Sequence, residues 1–320
     1  MHRVGTSTFT PHVIASAEAL IRIGRLLKKI KPDLLHAHYV TGYGFWGALT
    51  QFNPFVVTAW GSDILIDPKR LWYRLRVKHA LSCADLVTCD GQQVADRMAM
   101  LGCERGKIRL IPFGVDTERF APNARDNQLK TELGFPSESL LVISTRNLLE
   151  LYDIETQLRA IRLVLRTFPQ TRFIIVGEGK QRAYLEALTH SLEIEQAVRF
   201  LGWIPNIELP RYFASSDVYV STALSDAGIA TSTAEAMASG VPVVVTDVAD
   251  NRDWIKEAEG GFLISPQNPV QLAERICLLL RDPALRLAYG AVNRKIIQER
   301  DEYRTQMQTV DDLYAELLST

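Results

Sequence analysis

The run VPVVVTD (241–247) carries no alternation of apolar and polar residues. A strand with one face in water alternates; a strand that does not is covered on both faces. Eight further runs have strand composition: DLLHAH (33–38), FVVTAW (55–60), DLVTCD (85–90), KIRLIPF (107–113), LLVISTR (140–146), RFIIVGEG (172–179), VRFLGW (198–203) and DVYVST (217–222). Segments of helical pattern separate them, at 14–30, 43–52, 69–82, 91–101, 153–167, 180–191, 207–214 and 233–239, with 268–280 and 282–298 following GGFLISP. Strands that alternate with helices join in parallel and need helices on both faces. The chain is therefore α/β with parallel sheets.

Its 320 residues suit two such domains better than one. The break falls at GVDTERFAPNARDNQ (114–128), a polar stretch with Gly114 and Pro122. This predicts domains at 1–120 and 121–302, with a last helix over 303–320 whose Met307, Val310, Leu313, Leu317 and Leu318 share one face and must pack. Charge changes sign at the same place. Residues 1–120 hold 16 Lys+Arg against 10 Asp+Glu, and residues 121–320 hold 20 against 27, so an anionic partner is expected at the first domain. No nucleic-acid recognition motif accompanies that charge. The start, MHRVGTSTFTPHV, has no signal-peptide core, no run is long enough to span a membrane, and the four cysteines form no C-x-x-C pair. The expected place is the cytoplasm, with a peripheral position on the inner face of the membrane.

Open parallel sheets bind ligands beyond the carboxyl ends of their strands. His38, Gly61-Ser62-Asp63, Arg146, Gly177-Glu178-Gly179, Trp203, and Asp226 with Gly228 all fall there. The stretch SDAGIATSTAEAMASG (225–240) has two readings. Ser232 and Glu235 have the spacing of a capping box, which makes it a plain helix start. Equally, small residues before free helix amides make an anion site, with Glu235 turned to a ligand hydroxyl. GEG reads as a phosphate turn or as an ordinary strand-to-helix turn.

Taken together, KPDLLHAH, WGSD, IPFGVDTERFAP, VGEGKQRAYLEAL, VRFLGWIP and AEAMASGVPVVVTDVADNRDWI, in that order, resemble a retaining glycosyltransferase of family 4. The resemblance implies a GT-B fold: two Rossmann-like domains with parallel sheets facing across a cleft, donor on the second, acceptor on the first. It implies a nucleotide-sugar donor, UDP- or GDP-linked, a polysaccharide or glycolipid acceptor, retention of anomeric configuration, and no metal or other cofactor. Arg146 matches the phosphate arginine and Glu235 the ribose glutamate. Gly228, Ile229, Ala230 and Thr231 supply the amides at the diphosphate, Gly177 the neighbouring turn, and Trp203 and Ile204 the surface under the base. His38 is a catalytic candidate on the acceptor side, with Trp60, Gly61 and Asp63, although Asp63 after Gly61 also reads as a residue that holds a turn.

The chain also departs from the family pattern. Ala227 stands eight positions before Glu235, where a first glutamate is usual, and Asp226 comes one residue early as the substitute catalytic acid. Tyr152 takes the place of a lysine, and Trp60 that of a histidine. The family's first strands precede anything seen here, so the first domain is expected to be incomplete. A catalytically impaired nucleotide-binding relative, an epimerase and a phosphorylase share parts of the pattern. Two features lie outside it. His36 and His38 alternate onto one face, as an H-x-H metal pair or as a structural histidine beside a site histidine. KRLWYRLRVKH (69–79) either rests on an anionic membrane or is a solvated helix that buries Leu71, Trp72 and Leu75.

Overall fold

The computed structural model describes residues 12–319, so the reading of the first eleven residues lies outside the described ones. The chain divides into two compact units, one formed by the residues up to Pro112 with those from Gln308, the other by Phe113–Met307.

The first unit holds a parallel sheet of β1 (Leu35–His38), β2 (Phe55–Thr58), β3 (Leu86–Cys89) and β4 (Ile108–Leu110), in that order. Phe55, Val56, Val57 and Val87 of this sheet are buried, as are Leu81, Val94 and Met98 of the neighbouring helices. One polar line crosses the sheet. The hydroxyl of Tyr314, in the helix Tyr303–Ser319, meets His36 Nδ1. His36 Nε2 lies 2.6 Å from Thr58 Oγ1, which lies 2.6 Å from Thr88 Oγ1. Burial, then the neighbouring His38, lower the His36 pKa to about 4, so the ring is neutral and structural.

In the second unit, β5 (Leu140–Ser144), β6 (Thr171–Val176), β7 (Val198–Gly202), β8 (Val218–Ser221), β9 (Val243–Thr246) and β10 (Gly261–Ile264) form a parallel sheet of order β10-β9-β8-β5-β6-β7. Both faces are covered. Leu158, Ile161 and Val164 with Leu272, Ile276 and Leu279 pack one side, and Phe213, Met237 and Ile297 the other. The strand order reverses between β5 and β8, and chains leaving such a pair turn opposite ways and open a crevice.

The domain break expected after residue 120 comes earlier, at Pro112. Val115 and Phe120 are buried in the second core, and Gly114 N and Val115 N donate to Asp301 Oδ1 and O at 2.9 and 2.7 Å. Polar composition suggested a linker there, but its few apolar residues are anchored. The last helix begins in the second unit, and only its residues from Gln308 count with the first.

Candidate functional site

The crevice at the β5/β8 reversal is built from two loops. Arg146 follows β5, and residues 222–230 follow β8. Arg146 is 8% exposed, with Nη2 2.6 Å from Asp226 Oδ1, Nη1 3.4 Å from Ser232 Oγ, and its guanidinium 4.3 Å above the Tyr152 ring. Burial is the largest single influence and opposes its charge, but Asp226, Tyr219 and Tyr152 together outweigh it, so the pKa is raised and Arg146 stays a cation. Tyr152, which stands in the place of a lysine, thus lies against the guanidinium of Arg146. Thr222 Oγ1, at the end of β8, fixes that turn through Tyr152 O and Asp153 O at 3.0 and 2.9 Å.

Gly177 explains how the arginine loop gets this close to the sheet. Its φ is +135°, and a Cβ on it would lie 2.4 Å from Arg146 O; on Gly179 a Cβ would lie 2.2 Å from Leu148 O. Gly-Glu-Gly is thus a seat for the Arg146–Leu148 backbone, the ordinary-turn reading put to use under a charged side chain.

Beyond β8, Gly228 has φ +56°, and Ile229 and Ala230 are buried. Helix Thr231–Ala238 starts with Ala230 at its N-cap and no side-chain cap. The capping box does not form: Ser232 lies inside the helix and its Oγ meets Tyr219 OH at 2.9 Å. The first-turn amides of Thr231 and Ser232 are left without intrahelical partners, next to Arg146. Glu235 faces elsewhere. Its Oε1 accepts from Asn206 Nδ2 at 3.2 Å, and Arg119 in turn donates to the Asn206 side chain and carbonyl. Burial raises the Glu235 pKa to about 7, against the pull of Asn206 and Arg119. Nothing in the sequence pattern singled out Arg119. Asn206 stood two residues after Ile204 on the same rim, and that placement was its only signal. Trp203 is 73% exposed and Ile204 is buried beside it.

Asp226, the candidate substitute acid, is committed to Arg146. Its backbone position, one residue early, turns its carboxylate to the guanidinium. The assembly has one buried cation, uncapped amides, a carboxylate held through one oxygen, and an exposed indole: parts suited to a diphosphate, a diol and a flat base.

In the first unit, His38 is exposed, stacks on His36 at 4.3 Å and meets Trp60 edge-on at 5.9 Å, with Trp60 itself half exposed. Among the described residues no group of three metal-ligating side chains occurs. Asp63 is not an acceptor contact. It is fully buried, and accepts from Val40 N at 2.6 Å and Trp60 N at 3.0 Å. Gly61 takes φ +95° so the chain can turn back onto that carboxylate. Asp63→Ala should cost about 2 kcal/mol, since it strands both donors; urea unfolding checks this, and an unchanged midpoint would remove the role.

Residues 126–296 match the family described as glycosyl transferases group 1, and residues 6–91 match glycosyl transferase 4-like. The chain is similar to a sulfoquinovosyl transferase of Arabidopsis thaliana, 27% identical over 88% of this chain and 56% of that one. It is also similar to the UDP-Gal:alpha-D-GlcNAc-diphosphoundecaprenol alpha-1,3-galactosyltransferase of Escherichia coli, 25% identical over 96% of this chain and 81% of that one. Among solved structures, HepE of Anabaena in complex with UDP has the same fold, with TM-score 0.82 at 20% identity, over 96% of this chain and 84% of that one.

Proposed function

From the premise that this chain belongs to the glycosyl transferases group 1 family, which matches more than half of it, we propose that it moves a sugar from a nucleotide-sugar to a glycan or lipid-linked glycan acceptor. The observation that carries the reading is Arg146, buried and charged against the uncapped start of helix Thr231–Ala238. Departure of a nucleoside diphosphate builds negative charge on its outer phosphate. A preorganised cation and two backbone amides stabilise that charge as it forms, with no metal in the proposed step. Glu235 accepts from the ribose hydroxyls with the carboxylate oxygen that Asn206 leaves free, while the base lies on Trp203 and Ile204. The sugar keeps its anomeric configuration, as in the family resembled. A uracil base is favoured by the UDP-Gal in the name of the Escherichia coli relative, and GDP is the competing donor. The acceptor belongs to the first unit, where His38 and Trp60 present adjoining rings.

A second reading follows from Asp226. Its carboxylate sits on Arg146, and Ala227 replaces an acid; on this reading the chain binds a nucleotide it does not turn over. The two readings separate in one experiment: UDP or GDP raises the melting temperature under both, but only transfer releases free nucleotide from the donor sugar when lipid-linked glycan is supplied.

Glu235 gives the binding step a pH dependence. Hydroxyl donors favour the carboxylate, so nucleotide binding lowers its pKa from the value of about 7 in the free protein. Affinity is therefore full above that pH and falls below it, by about tenfold between pH 8 and pH 6. Titration calorimetry with UDP measures the slope. Glu235→Gln should flatten it, and an equal slope in the variant would place the proton elsewhere, on the phosphates for instance.

A further inference from the structure

Helix Leu71–Cys83 is apolar on two faces. Val77, Ala80 and Leu81 point inward and are buried. The residues a solvated helix would have buried point the other way: Leu71, Trp72 and Leu75 are 74%, 62% and 53% exposed. Leu71 and Leu75 stack one turn apart in the middle of the outer face. Arg70, Arg74 and Lys78, spaced by four, form a cationic row along one side, extended by Lys69, and all four are exposed. Trp72 flanks the other side, its ring 5.3 Å from the Arg76 guanidinium, which also lies over Phe45 and Tyr73.

The helix itself contains no acid. The acids nearest in sequence are engaged with their own unit: Asp63 as above, Asp67 by Thr41 Oγ1 at 2.7 Å, and Asp85 by Phe55 N at 2.7 Å. None of Lys69, Arg70, Arg74 and Lys78 forms a salt bridge among the described residues. An apolar ridge with an indole at its edge, beside a cationic row, matches the boundary between acyl chains and anionic headgroups. A nucleic acid would use the cations but leave the leucines in water. A second copy of the chain would need acids to face them.

We propose that the outer face of helix Leu71–Cys83 docks on an anionic lipid surface, with Leu71, Trp72 and Leu75 entering the interface and Lys69, Arg70, Arg74 and Lys78 pairing with headgroups. This goes beyond the glycosyl-transfer reading and does not depend on turnover; nucleotide binding, measured in the same samples, tests that reading separately. No helix among the described residues is long and apolar enough to cross a membrane, and this contact requires none.

The experiment is co-sedimentation of the full chain with phosphatidylcholine vesicles, with and without about a third phosphatidylglycerol. Each cation contributes roughly fivefold to partitioning, so Arg74→Gln with Lys78→Gln should weaken binding to anionic vesicles about 25-fold. Leu71→Ser with Trp72→Ser should weaken it on its own, and raised salt should release the wild type. These side chains are exposed, so the melting temperatures should not change. No binding to anionic vesicles, equal binding to phosphatidylcholine alone, or binding that both pairs of substitutions leave intact would overturn the proposal. So would self-association abolished by Leu71→Ser with Trp72→Ser in the absence of vesicles, because the face would then belong to another copy.

Discussion

Arg146→Ala should lower turnover by about 10²- to 10³-fold, the loss seen when one preorganised group is removed from a developing anion. The measurement is the rate of nucleotide release at saturating donor and acceptor. Turnover within tenfold of wild type would dismiss Arg146 as the phosphate group. A complication must be separated out. Removing the guanidinium leaves Asp226, only 14% exposed, without its partner, and a largely buried charge left uncompensated is destabilising. The paired variant Arg146→Ala with Asp226→Ala removes both charges. It should recover stability over the single variant but recover no turnover. Arg146→Lys should fall between, since an ammonium reaches fewer acceptors and stacks poorly on a tyrosine ring.

Gly290→Ala should destabilise the protein, against the usual sign. Alanine in a helix interior is ordinarily worth about 1 kcal/mol over glycine. Gly290 lies within helix Pro283–Arg300, and a Cβ there would fall 2.0 Å from Gly240 O, which is backbone and has no rotamer to change. Overpacking costs about 1–3 kcal/mol where side chains can adjust. Here the two segments must part, and a net loss of about 3 kcal/mol is expected, near 10 °C for a domain of this size. Gly24→Ala is the control. Gly24 also lies within a helix, no atom within 4 Å would meet its Cβ, and this variant should be slightly stabilised. The effect of Gly290→Ala should extend to the ligand. Gly240 ends the helix that carries Glu235, and one turn beyond Gly290, Arg294 donates to Ala238 O at 2.5 Å and Phe120 O at 3.0 Å. Weaker nucleotide binding should accompany the lower melting temperature.

The alternation of apolar runs with helical patterns located the strands because burial on both faces leaves no room for a polar period. VPVVVTD and LLVISTR each contain a strand within the expected residues, β9 and β5. GGFLISP holds a further one, β10, at the sheet edge. Arg146 drew notice because it follows a strand, and Glu235 because of its spacing from Ser232, but their proposed roles come from the family resemblance. Their partners were not legible. The side chain of Asp226 points according to the backbone of a glycine-containing turn, and no periodicity encodes that. Asn206 reaches Glu235, and Arg119 reaches Asn206, across sequence separations of 29 and 87 residues. Asp63 had two readings, a turn or an acceptor contact, and a G-S-D sequence alone gives no sign that its carboxylate faces inward onto two backbone amides.

The hydrogen bond from Tyr314 to His36 joins residues 278 positions apart, and the unit it closes is interrupted by all of Phe113–Met307. During synthesis, the four strands of the first sheet leave the ribosome early but lack residues 308–319 until all of Phe113–Met307 has been made. The second unit is continuous and has no such delay. The usual order, in which the part made first folds first, is therefore reversed in its completion: the second unit closes on its own schedule, while the first waits with His36 uncovered.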